Sequence, residues 1–188
     1  MKRRLPLRLL LCLAFGLGQL PAGTSALAQA PTDVTESALK AAFLFKFAAF
    51  IDWPAGTFQR PDQPLVIGVS GDDPVALDLE QLVAGRAVAG RPLVARRLAE
   101  SGPFTDLHVL FLGSRRDNKL REALATVPGP VLVVTEQPEA LRLGSVLNFS
   151  SEDGRVRFSA SLTSAEARNL KLSSRLLAVA QLVEGRNR

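Results

Sequence analysis

Residues 65–83 read LVIGVSGDDPVALDLEQLV. Leu65 to Ser70 is an apolar, β-branched run of the kind that forms a buried strand. Gly71-Asp72-Asp73-Pro74 stops it. Either aspartate can cap a helix whose first turn holds Pro74, because the ring fixes φ and the missing N–H has no partner to lose there. The spacing predicts a helix over about 74–84. Gly85 and Gly90 then mark a return, and Pro92 to Leu98 reads as a second strand. Leu107 to Leu112 is a third, ending at Gly113-Ser114, with Ser114 placed to cap a helix over about 115–126. Pro128-Gly129-Pro130 breaks that helix, and Val131 to Thr135 is a fourth strand. Thr135 or Glu136 is positioned to cap a short helix through Pro138 to Leu143. Strands alternating with helices predict an α/β domain with a mainly parallel central sheet flanked by helices.

The character changes after residue 145. Val146 to Ser150 and Arg155 to Ala160 flank Asp153-Gly154, a strong hairpin signal. Thr163-Ser164-Ala165-Glu166 has capping-box spacing. A short helix is expected there, broken near Asn169 to Leu172. Ser173 is placed to cap a final helix with Leu176, Leu177, Val179, Ala180 and Val183 as its buried stripe. The domain is thus expected to end in a β-hairpin and a C-terminal helix. Upstream, Thr35-Glu36 opens a helix predicted to run to about Asp52. Phe43, Phe47 and Phe50 lie on one face, and Leu44, Phe45 and Ile51 cover much of the rest, so it needs burial on more than one side. Pro54 forbids its continuation.

The chain begins as a secretory leader would. Lys2, Arg3, Arg4 and Arg8 precede an apolar run from Leu9 to Leu17, too short to span a bilayer. Small-x-small sites at 26–28 and 28–30 favour cleavage after Ala28. The expectation is a signal peptide over 1–28 and one domain over 29–188. The leader takes 4 of the 23 basic residues and none of the 18 acidic ones, leaving a net charge of +1. The sequence pI near 10.1 therefore argues for neither nucleic acid nor anionic lipid. Cys12, the single cysteine, falls inside the leader. A cleaved chain has no disulfide, thiolate nucleophile or cysteine metal ligand.

Catalytic signals are sparse. His108 is the only histidine and sits in an apolar strand. There is no H-x-x-H, C-x-x-C or G-x-S-x-G, and no glycine-rich nucleotide fingerprint. Neither enzyme activity nor a metal or cofactor is expected. Asp72 and Asp73 read first as helix caps, and Arg115, Arg116 and Lys119 as a solvated helix face. Asp72, Asp73, Ser114 and Arg115 nonetheless lie where strands run into helices, the edge at which open α/β sheets take ligands. They form the candidate ligand site of an alternative reading, a periplasmic small-ligand module feeding a sensor or transporter. Trp53, at a helix exit before proline, is suited to anchor a partner.

Residues 38–54, an alanine-rich helix with spaced aromatics ending in Trp53-Pro54, resemble the opening signature of the YfiR-like family. Leu143 to Phe149 is similar to its glycine-bearing strand. Arg157-Phe158, Ala165, Ala167-Arg168 and Leu170-Lys171-Leu172-Ser173-Ser174 with Leu176-Leu177 resemble its closing signature. The resemblance implies a periplasmic repressor that binds a membrane diguanylate cyclase of the YfiN type, lowering cyclic-di-GMP and biofilm formation. It also implies sequestration by an outer-membrane YfiB-type protein, and a homodimer. Disulfide-based regulation, used by some members, is excluded for a mature chain without cysteine. The closing segment is the expected contact surface: Arg168, Lys171, Ser173 and Arg175, with Phe149 and Leu172 as apolar anchors.

Overall fold

The strict alternation of side chains along a strand sends neighbouring residues to opposite faces. An apolar run such as 65–70 therefore needs cover on both sides. The computed structural model describes residues 34–185 and supplies that cover. The signal-peptide reading lies outside the described residues. The elements in chain order are α1 (Glu36–Ala48), β1 (Ile51–Asp52), β2 (Leu65–Ser70), α2 (Asp73–Val83), β3 (Ala87–Val88) and β4 (Arg91–Leu98). Then come β5 (Val109–Leu112), α3 (Asp117–Thr126), β6 (Leu132–Thr135), β7 (Leu147–Glu152) and β8 (Arg155–Ser161). The chain closes with α4 (Leu162–Ala167), β9 (Lys171–Leu172), α5 (Ser174–Ala178) and β10 (Val183–Glu184).

Eight strands form one sheet in the order β10-β8-β7-β6-β5-β2-β4-β3. Its centre, β4-β2-β5-β6-β7, is parallel throughout. The β7–β8 hairpin is antiparallel, pairing Leu147 with Ala160 and Glu152 with Arg155 across the Asp153-Gly154 turn. One face carries Leu65, Ile67, Val69, Val109, Phe111, Leu132 and Val134 into a core shared with α1 and α2. The other carries Val66, Leu110, Leu112 and Val133 into a second core shared with α3. The predicted α/β domain with a mainly parallel, helix-flanked sheet, a hairpin and a C-terminal helix is what the molecule has.

Aromatic residues from both ends of the chain meet in the first core. The Phe47 ring lies 4.9 Å from Phe158 and 5.7 Å from Phe149. Phe43 adds contacts at 5.8 and 5.9 Å to Phe158 and Phe149. Offset and edge-on aromatic pairs of this kind contribute about 0.5–1.5 kcal/mol beyond their burial.

Five local expectations need correction. Ser114 does not cap α3, which starts at Asp117 with Arg116 at the cap position and no side-chain cap hydrogen bond. α1 stops at Ala48, and Ile51–Asp52 is a strand, because the chain turns there to pair with β9. Residues 138–143 form turns instead of a helix, and Glu139 adopts a positive φ of 61°. The cap of α4 is Ser161, whose Oγ accepts from the Ser164 N–H at 3.2 Å, in place of Thr163. The final helix spans only Ser174–Ala178; Val179 is 70% exposed, and Val183 belongs to β10.

Candidate functional site

The opening and closing stretches of the family resemblance are far apart in sequence and adjacent in space. β1 and β9 pair antiparallel, Ile51 with Leu172 and Asp52 with Lys171. The Ser173 N–H donates to the Phe50 carbonyl at 3.0 Å and extends the ladder. Ser173 also caps α5, its Oγ accepting from the Leu176 N–H at 3.2 Å. Lys171 and Arg175 stand exposed, and Leu172 is half-buried. Neither cation has an ion-pair or side-chain hydrogen-bond partner among the described residues. Beyond them lie two exposed apolar side chains, Val179 and Leu182, the latter 54% exposed.

The other two expected contact residues are placed differently. Phe149 is 2% exposed, its ring between Phe47 and Phe111, so its part is to fill the core. Arg168 is half-buried and lines a cavity of about 450 Å³ with Thr163, Ser164 and Asn169. Burial holds its guanidinium below the usual arginine range.

Trp53 continues the β1–β9 junction and borders a cavity of about 580 Å³ with Asp52, Glu166 and Lys171. Its ring packs edge-on against Phe58 at 6.0 Å and His108 at 6.3 Å. The Trp53 Nε1 is buried without a hydrogen-bond partner among the described residues. His108 is stacked flat on Phe58 at 4.5 Å, and the Arg91 guanidinium covers the other side of Phe58 at 4.0 Å. The His108 Nδ1 accepts from the Val66 N–H at 3.1 Å, which places any proton of the neutral ring on Nε2. Burial, then the charge of Arg91, push the imidazole below its ordinary pKa. No pattern of residues signals this stack, because Phe58 sits in an irregular loop.

The candidate ligand residues gather at the opposite, carboxyl edge of the strands. Asp72 caps α2, its Oδ1 accepting from the Val75 N–H at 3.1 Å. Asp73 is exposed and 3.7 Å from Arg97. The Ser114 N–H donates to Glu136 Oε1 at 2.8 Å, and the Arg115 N–H to Gln137 Oε1 at 3.1 Å. The Arg115 guanidinium donates to the carbonyls of Ser70, Gly113 and Glu100 at 3.0–3.3 Å. Its burial lowers its pKa, opposed in part by Glu100. Gly113 backs onto Gly71 so closely that a Cβ there would lie 2.5 Å from the Gly71 oxygen. Glu136 is itself held by Lys40, which also pairs with Glu36 at 2.7 Å. Burial opposes the Lys40 charge, but the hydrogen bonds to Glu136 and Glu36 outweigh it and raise its pKa. The backbone donors that an anion needs here are thus occupied by the chain's own Glu136 and Gln137. A ligand at this edge must displace them.

Sequence reasoning took Glu136 only as a candidate helix cap and missed Lys40 and Gln137. The signal for Lys40 was that it is one of two lysines on a largely apolar helix. It also missed the use of Asn148, whose Oδ1 accepts from Thr135 Oγ1 at 2.7 Å and the Gln137 N–H at 3.1 Å. Among the described residues no group of three or more His, Cys, Asp or Glu side chains is arranged to hold a metal ion, and no helix is long and apolar enough to cross a membrane.

The family model described as YfiR/HmsC-like matches residues 37–181. No curated protein matches the chain. Among solved structures, a conserved domain protein from Vibrio cholerae O1 biovar El Tor str. N16961 is similar at 12% identity and a TM-score of 0.49. The likeness covers 81% of this chain and 61% of that one.

Proposed function

Because the chain belongs to the YfiR/HmsC-like family, we propose that it is an exported regulator that docks on the periplasmic region of a membrane diguanylate cyclase of the YfiN type and holds it inactive. Cyclic-di-GMP synthesis falls and biofilm formation with it. An outer-membrane YfiB-type protein is the proposed competitor for the same chain, and a homodimer its proposed state.

The observation that carries this reading is the β1–β9 junction. It fastens the Trp53-Pro54 exit to the closing segment. It also fixes Lys171 and Arg175 beside the half-buried Leu172 on a surface with no internal use for their charge. A rim of cations around a small apolar centre is suited to docking on a protein. Phe149 belongs to the core on which Leu172 packs, and Ser173 caps α5.

No chemical step is required. The regulator represses by binding one conformation of the cyclase's external domain more tightly than the other. The bias transmitted across the membrane equals that difference in affinity and no more. Deleting the gene is expected to raise cyclic-di-GMP, and crosslinking in intact cells to recover a membrane cyclase with the regulator. Unchanged cyclic-di-GMP in the deletion strain, with no cyclase recovered, overturns the reading.

A further inference from the structure

We propose that the cavity between α4 and the turns at Gly129 and Gly144 is a receptor for a small carboxylate, with Arg168 as its charged anchor. Four polar side chains line it: Thr163, Ser164, Arg168 and Asn169. None of the four has a side-chain hydrogen bond or ion pair to another described residue. This differs from the carboxyl edge, where Arg115 spends its donors on three carbonyls.

The local structure explains why these groups are left over. Ser161 takes the capping role at α4, so the Thr163 and Ser164 hydroxyls are not needed by the helix. Asn169 adopts a positive φ of 56° directly after α4, and the next residue, Leu170, is buried. Gly129 and Gly144 also line the cavity, and a Cβ on either would meet nothing within 4 Å. There is therefore free space beside both glycines.

Charge selects the ligand. Arg168 is the one charged residue of this lining, and no acid accompanies it. Other cavities carry their own carboxylates: Glu100 and Glu122 beside Arg115, Asp52 and Glu166 beside Trp53, Asp106 beside His108, and Asp73 and Asp78 at the start of α2. A guanidinium desolvated without a counter-charge gains most from a planar anion that accepts two parallel N–H bonds. The hydroxyls and the Asn169 amide supply further donors to the same anion. About 450 Å³ accommodates a molecule of amino-acid or dicarboxylate size.

The test uses the purified mature protein alone, so its outcome is separate from any docking on a cyclase. Titration calorimetry with sodium succinate and sodium glutamate, against sodium chloride at equal ionic strength, is expected to give saturable binding. Arg168→Gln is expected to weaken that binding by about tenfold or more, the scale of one charge-assisted pair. Thr163→Val, which leaves the charge in place, is expected to weaken it less, and it keeps the test valid should Arg168→Gln fold poorly. The proposal is overturned by absence of saturable carboxylate binding, by equal binding in both variants and wild type, or by tighter binding of inorganic phosphate than of either carboxylate.

Discussion

His108 shows how one buried side chain ties several segments together. Its ring stacks on Phe58 and meets Trp53 edge-on, and its Nδ1 holds the first strand of the sheet through Val66. The charged and titratable groups facing this region are Arg91, beyond Phe58, and Arg96 and Asp106 in the adjoining cavity. Protonation would turn Nδ1 from acceptor to donor and set a second cation near Arg91. The folded pKa is lowered, so the unfolded chain takes up the proton first as pH falls. The stabilisation is complete above the ordinary histidine value of about 6.5 and is lost as pH drops from there toward the lower folded value. Thermal unfolding at pH 7.5 and pH 5.0 is expected to show a clear decrease in Tm for the wild type. His108→Asn keeps an acceptor near Val66 but loses the stack, so its Tm should be lower at pH 7.5 and flatter across the range. Equal pH slopes for the two proteins would rule out this role for His108.

At the scale of elements, capping decides where helices begin. Asp72 holds the first turn of α2 through the Val75 N–H, with Pro74 already set in helical φ. Asp72→Ala is expected to lower stability by about 1 kcal/mol, while Asp72→Asn, an equally good cap, should change it by only a few tenths. Urea denaturation distinguishes the cases, and an equal loss in both variants would show that the carboxylate charge matters more than the cap. α2, the Asp153-Gly154 hairpin and the Ser173 cap were legible because each is written in neighbouring residues. β1 and β9 were not. Each is two residues long, and what makes them strands is a partner more than a hundred positions away. The same holds for β10, where Val183 pairs beside Ala160 although its spacing continued a helical stripe. Asn148 lies within a predicted strand, and only the fold reveals that Thr135 and Gln137 need its oxygen. Lys171 and Arg175 were legible as exposed cations of the closing segment. Phe149 was misleading, since an aromatic at a strand end reads alike whether it anchors a partner or fills a core.

For the whole molecule, the question is whether docking depends on a local surface or on overall charge. The chain after the expected leader carries 19 basic and 18 acidic residues, so it has almost no net field to steer it. Attraction to a partner must then come from where the cations stand. Lys171 and Arg175 are exposed and make no ion pair among the described residues, so replacing them breaks no internal ion pair among those residues. Lys171→Glu with Arg175→Glu is expected to cost no more than about 1 kcal/mol, the scale of a like-charge cross-strand pair, since Lys171 faces Asp52 across the β1–β9 ladder. In cells the same pair of substitutions should reduce crosslinking to the cyclase and raise cyclic-di-GMP toward the level of the deletion strain. Exposed rim charges act mainly on association, so the residual binding should also lose its dependence on salt. Arg155 and Arg157 on the hairpin provide the control, being exposed and free of ion pairs among the described residues. Their reversal to glutamate changes net charge by the same amount at a different place. If the two double variants impair repression equally, net charge is the cause and the β1–β9 junction has no special part; if only the first does, the closing segment is the docking surface.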